Sequence, residues 1–166
     1  MKLLDLPDHP RTIVYEKIVD ALRVDPVLKS IIHPDGWRTF TDEDSNDTPP
    51  GEDTLPAIEV MPFGQGASSE SPVSQFSPLG IAINIATEGL DVRDLLNLWG
   101  AVENALFPGD GSRVLGNAIR TAIVGTGAQY ETMNLGSPAI TPSGPGIDKQ
   151  MMLASGTLNV MMRVRK

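Results

Sequence analysis

The stretch LGIAINIATEGLDVRDLLNLWGAVENALFP, residues 79–108, decides the fold. Leu79, Ile81, Ile83 and Ile85 alternate with small or polar side chains, the period of a strand with one buried face, so a strand is expected over Leu79–Thr87. Gly89-Leu90-Asp91 then breaks the pattern. Asp91 suits an N-cap, and Asp94 favours the positive end of a helix. Leu95, Leu96, Trp99, Val102, Leu106 and Phe107 follow at helical spacing until Pro108-Gly109 stops them. Trp99 and the Leu95/Leu96 pair read as core, with Trp99 between this helix and the sheet.

Working outward, Val14, Ile18, Ala21 and Leu22 lie on one face of a helix that Asp25-Pro26 interrupts. Val27, Leu28, Ile31 and Ile32 continue it, giving one broken helix over residues 11–32. Residues 35–54 are polar, acidic and end in Pro49-Pro50-Gly51, a loop by composition. Ala57–Phe63 reads as a strand between Pro56 and Pro62, at an edge or with abrupt ends. The segment 64–78 is rich in Gly, Ser and Pro and reads as a long hairpin tip. A short helix is expected in 112–122, carrying Val114, Leu115 and Ile119. A strand is expected in 128–135, a loop at 136–149 and a closing strand at 150–164. The expected fold is α+β: a single domain over residues 1–166, with a mainly antiparallel sheet of about four strands packed by an N-terminal helix and a central helix.

The chain has 166 residues, 40% of them hydrophobic and 20% charged, a globular composition. It has no cysteine, which excludes disulfide scaffolds, cysteine-ligated metal sites and thiol nucleophiles. The first residues do not read as a signal peptide, no run is apolar enough to span a membrane, and a soluble protein is expected. Net charge is −8 and unevenly spread: residues 1–110 carry 7 basic and 19 acidic side chains, residues 111–166 carry 6 and 2. Within 35–54, Asp35, Asp42, Glu43, Asp44, Asp47, Glu52 and Asp53 face only Arg38. An acidic protein lacks the basic surface that DNA binding requires. The polarity of the chain favours head-to-tail or subunit contacts instead.

No catalytic, cofactor-binding or metal site is expected. His9 and His33 stand beside prolines at helix boundaries and suit capping or solvated roles. Gly64-Gln65-Gly66 and Gly125-Thr126-Gly127 read as turns rather than phosphate loops. Asp42-x-Asp44-x-Asn46 imitates the first half of a calcium loop, but Asp47 occupies the position that needs glycine. Met151/Met152 and Met161/Met162 are adjacent pairs in a strand, so one of each faces the core and the other a possible partner.

In order along the chain, "ALRVDPVLKSII" (21–32), "LPAIEVMP" (55–62), the 79–108 run and "QMMLASGTLNVMMRVRK" (150–166) resemble the tail terminator family of tailed bacteriophages, also called tail-completion or minor tail proteins. The resemblance leaves out the loops 35–54 and 136–149. It implies a non-enzymatic homo-oligomeric ring, usually hexameric, in the virion, assembled in the bacterial cytoplasm. Such a ring caps the tail tube protein, ends its polymerisation and offers a joining surface to a head-completion or neck protein; DNA passes through without being specifically bound. A head-to-tail connector of the neck or a small unrecognised enzyme are the alternatives. Asp42, Glu43, Asp44 and Asp47 are candidates for a carboxylate-lined lumen, for pairing with Arg163, Arg165 and Lys166 of a neighbour, or for a solvated loop.

Overall fold

The computed structural model describes residues 7–40, 52–64, 68–71, 74–89, 91–109, 113–142 and 151–165. The N-terminal helical pattern forms α1 (Pro10–Val24) and α2 (Pro26–Ile31), broken at Asp25 as its sequence requires. The Asp25 carboxylate accepts the N–H groups of Val27 at 3.0 Å and Leu28 at 2.9 Å, while Pro26 occupies the first helical position, where no N–H is needed. Val14, Ile18 and Leu22 are fully buried, and Tyr15 and Val19 widen the stripe. Val27 and Ile31 are exposed: a six-residue helix turns one narrow side inward, here Leu28 with Ile32 just beyond it.

A 3-10 turn at Pro34–Gly36 leads into β1 (Trp37–Thr39), and a second at Glu52–Thr54 precedes β2 (Ala57–Gly64). Then come β3 (Ser68–Ser71), β4 (Ser74–Glu88), α3 (Val92–Leu106), α4 (Val114–Ala122), β5 (Ala128–Leu135), β6 (Ala139–Pro142) and β7 (Met151–Arg165). The strands form one seven-stranded sheet in the order β1-β2-β4-β7-β5, with β3 also on β4 and β6 also on β7. Every pairing is antiparallel except β1 with β2. The centre is the β4–β7 pair, whose register runs unbroken from Ser74 opposite Arg165 to Glu88 opposite Met151.

The α+β class and the principal helices and strands agree with the sequence, and the sheet is larger than the expected four strands. Residues 64–78 are not one hairpin tip: β3 and the first residues of β4 lie within them. Their serines and prolines carry no alternating apolar signal, yet β3 pairs with the start of β4, and Ser74–Pro78 pair with the Met161–Arg165 end of β7. Likewise β6 lies inside 136–149, paired with Met152–Ser155, and β1 lies inside 35–54. Pro62 lies opposite Ile81 of β4 and past the end of β1, which pairs only with Ile58–Val60.

The described helices cover one face of the sheet. Ile58, Val60, Leu79, Ile81, Ile83, Ile85, Met152, Ala154, Leu158, Val160 and Met162 are buried with the stripes of α1, α3 and α4 in one cluster. On α3 that stripe is Leu95, Leu98, Trp99, Val102 and Leu106. Leu96 is 48% exposed and Phe107 is exposed too, because Leu98 and Trp99 complete the three- and four-residue steps from Leu95 and turn Leu96 outward. Val114 is exposed for the same reason, with Leu115 and Ile119 taking the inner side of α4. The Trp99 ring lies against the backbone of Gly156 on β7, where a Cβ would collide with the ring atom Cζ2 at 2.7 Å. Its Nε1 donates to Glu103 Oε1 at 3.0 Å. Among the described residues no helix is long and apolar enough to cross a membrane.

Candidate interaction surfaces

The second face of the sheet carries no described helix. Strand alternation brings Arg38, Glu59, Met61, Phe63, Asn84, Ala86, Met151, Leu153, Ser155 and Met161 to it. Small residues occupy its centre (Gly80, Ala82, Ala86, Ser155, Thr157), so the face is flat there. A polar ladder crosses three strands: Arg38 Nη1 lies 2.9 Å from Glu59 Oε2, and Asn84 Nδ2 donates to Glu59 Oε1 at 2.9 Å. Beside it a shallow hollow of about 290 Å³ is bounded by Ala57, Ala86, Met151 and Leu153. Met152 and Met162 are buried under the helices, while Met151 and Met161 are half-buried on the open face, the division expected of adjacent methionines in a strand. Met61 and Phe63 add apolar side chains that are 38% and 37% exposed.

The two edges of the sheet are built differently. At the β1 edge, Tyr15 Oη donates to the Val60 carbonyl at 2.7 Å and accepts the Phe40 N–H at 3.0 Å, fixing the chain where it leaves β1. Burial raises the Tyr15 pKa, and the Phe40 N–H and the Arg23 charge offset part of that rise. The returning chain passes Gly36, where a Cβ would stand 2.6 Å from the Thr54 carbonyl oxygen, so only glycine admits this approach. Both ends of segment 41–51 are therefore held at one edge. Asp42, Glu43, Asp44 and Asp47 belong to that segment and lie outside the described residues, as does Lys166.

At the β5 edge a cavity of about 400 Å³ opens between α4, the end of α3 and β5, lined by Leu106, Phe107, Arg113, Gly116, Arg120 and Tyr130 among others. The Arg120 guanidinium stands 5.2 Å from the Tyr130 ring centroid and donates to Asn117 Oδ1 at 3.2 Å. Burial raises the Tyr130 pKa, opposed by the Arg120 charge. Arg113 and Arg120 are exposed and have no carboxylate partner among the described residues. Of the basic residues singled out in the sequence, Arg163 is paired within its own chain: Nε donates to Glu131 Oε1 at 2.8 Å, and the guanidinium lies 4.8 Å from the Phe76 ring centroid. Arg165 is exposed, and its backbone N–H bonds the Gly127 carbonyl at 3.0 Å. Arg113 and Arg120 were not singled out, although their seven-residue spacing places them on one side of a helix two turns apart.

No protein-family model matches the chain, and no curated protein matches it.

Among the described residues the remaining candidates stand apart from one another. His9 Nδ1 accepts the Arg11 N–H at 3.2 Å and His33 Nδ1 accepts the Asp35 N–H at 3.1 Å, so both histidines cap turns. Gly125 and Gly127 take positive φ in the turn before β5, as the turn reading of that motif expects. Among the described residues no three His, Asp or Glu side chains cluster to hold a metal ion. The Asp42-x-Asp44-x-Asn46 pattern lies outside the described residues. What the described arrangement offers is surface: a flat open sheet face, an edge that anchors an acidic segment, and an opposite edge bearing arginines.

Proposed function

We propose that the chain is a structural assembly protein of a phage virion, a ring that caps the tail tube, ends its polymerisation and presents the head-joining surface. The observation that carries this reading is the two-sided sheet. One face is closed by helices; the other is broad and flat, with apolar side chains interspersed among small and polar ones. A surface of that kind fits contact with neighbouring subunits better than it fits the enclosure of a small substrate. The uneven charge along the chain, acidic in residues 1–110 and basic in 111–166, supports copies joined head to tail, because a heterologous contact closes into a ring when its rotation divides the circle. The order of motifs along the chain supports the tail terminator assignment in particular. The partners are then further copies of the chain, a tail tube protein below and a head-completion or neck protein above, with DNA passing through unbound.

The test is electron microscopy of tails assembled with and without the protein. The expected result is a ring at the head-proximal end and tubes of defined length when it is present, and overlong or open-ended tubes when it is absent. Tails of normal length and bare ends in both cases overturn the reading. A ring found on isolated heads, with normal tails, places the protein in the neck instead.

A further inference from the structure

The cavity of about 400 Å³ between α4, the end of α3 and β5 joins two arginines, an apolar wall and an open strand edge. We propose that it is a docking site for the C-terminus of a partner chain. An extended peptide lies along β5, with its terminal carboxylate on Arg113 and Arg120 and its last side chain, an apolar one, in the cavity. This goes beyond the ring reading and stands or falls apart from it.

The arginines make the cavity a place for an anion. Arg113 and Arg120 both line it, and about 10 Å along the axis of α4 separates them, so their side chains approach one site from two directions. Neither has a carboxylate partner among the described residues. Arg120 is steadied by Asn117 Oδ1 at 3.2 Å and by the Tyr130 ring at 5.2 Å, contacts that hold a guanidinium without neutralising it. Glu131, the acid on the same wall, already pairs with Arg163 Nε at 2.8 Å. A guanidinium with free donors takes a carboxylate through charge-assisted, two-pronged hydrogen bonds.

The rest of the wall is apolar. Leu106, Phe107, Leu115 and Met133 supply it, and Phe107 is still 39% exposed. The volume is that of a small-ligand site and admits one apolar side chain with its carboxylate. Gly116 keeps the space open, since a Cβ there would stand 3.6 Å from the Tyr130 hydroxyl oxygen and a larger side chain would fill the gap. The strand supplies the direction. Among the described residues no strand pairs with the outer side of β5, and past the register shift between Tyr130 and Thr132 its pairing runs regularly to Leu135. An extended peptide adds to such an edge through its backbone, and capture of its carboxylate fixes where it stops. A free small acid uses the arginines and the wall but gains nothing from the edge, which favours a chain terminus.

The test is isothermal titration of the full chain with three probes: the hexapeptide Gly-Ser-Thr-Ser-Val-Leu with a free C-terminus, the same peptide amidated, and N-acetyl-leucine. The free-acid peptide is expected to bind, and amidation to weaken it about tenfold or more, because the charge that the arginines hold is gone. N-acetyl-leucine, which keeps the carboxylate and the side chain but not the strand, is expected to bind about tenfold more weakly than the peptide. Arg113→Gln with Arg120→Gln is expected to weaken the free acid about tenfold or more and to leave the amide unchanged, with the melting temperature kept because both side chains are exposed. No binding of the free-acid peptide at about 1 mM overturns the site. Equal binding of acid and amide overturns it as well, and that comparison needs no variant to fold. A double variant that binds like the parent removes the arginines from it. N-acetyl-leucine binding as tightly as the peptide overturns the chain terminus in favour of a small free acid.

Discussion

The two faces of the sheet are made by the same strands and differ in almost everything else. On the helix side, β4 presents Leu79, Ile81, Ile83 and Ile85, all buried beneath α1 and α3. On the other side it presents Gly80, Ala82, Asn84 and Ala86, with Glu59 and Arg38 paired beside them. A strand gives its two faces in strict alternation, so each can be selected for a separate purpose: one for the core, one for contact. The difference teaches that stability and association in this molecule are written on separate residues and can be altered separately.

The sharpest way to break that comparison is Trp99→Ala on the helix side. The ring is buried against Gly156, and removing it should cost about 3–5 kcal/mol of folding free energy by thermal or urea unfolding. An unchanged melting temperature would mean that the helix layer does not hold the sheet as described. Gly156→Ala approaches the same contact from below. A methyl group under the indole must displace a large ring, and about 1–3 kcal/mol of destabilisation is expected from overpacking.

Tyr15→Phe tests the β1 end of the helix side. It removes the bonds to Val60 and Phe40, and a loss of about 1 kcal/mol is expected because Phe40 is partly exposed and its N–H can turn to water. The same residue sets a pH dependence. Tyr15 and Tyr130 both have pKa values raised by burial, so their neutral forms favour the folded state. That contribution is complete below the unfolded tyrosine pKa of about 10 and is lost as pH climbs from there through the higher folded values. Denaturation measured from pH 8 to 12 should show a falling alkaline limb, shallower in Tyr15→Phe; an equal slope would remove Tyr15 from the account.

The smallest effect on folding is expected from the open face. Met61→Ser with Met161→Ser should change unfolding free energy by no more than about 0.5 kcal/mol each, as for surface sites. Self-association measured by sedimentation should nevertheless weaken. If these changes unfold the chain, or leave association untouched, the division of labour between the faces fails.

Much of the helix side was legible in sequence because periodicity encodes it. Ile81, Ile83 and Ile85 announce their strand, and Asp25 and Asp91 announce the caps that the side chains go on to make. Leu96 was misplaced because two adjacent leucines offer two phases of one helix, and only packing on Trp99 and Leu98 chooses between them. The short strands β3 and β6 were illegible: their serines and prolines say turn, and their pairing is dictated by the length of β4 and β7. Of the interaction residues, Arg163 drew attention as part of a basic tail, yet its partner Glu131 sits 32 residues away and became adjacent only through the β5–β7 register. Arg113 and Arg120 belong to a helix read for its apolar side alone, and their shared cavity needs α3, α4 and β5 together.

The length of the central pair has a mechanical consequence. β4 and β7 each have 15 residues, and so does α3. At about 3.3 Å per strand residue and 1.5 Å per helical residue, the ribbon is about 50 Å long and the helix about 22 Å. The β4–β7 ribbon therefore projects beyond the helix as a beam beyond its support. A load applied along its axis meets the hydrogen-bonded rungs in shear, all sharing the force, whereas a load prising the strands apart from the end where Ser74 faces Arg165 opens them one after another, like a zip.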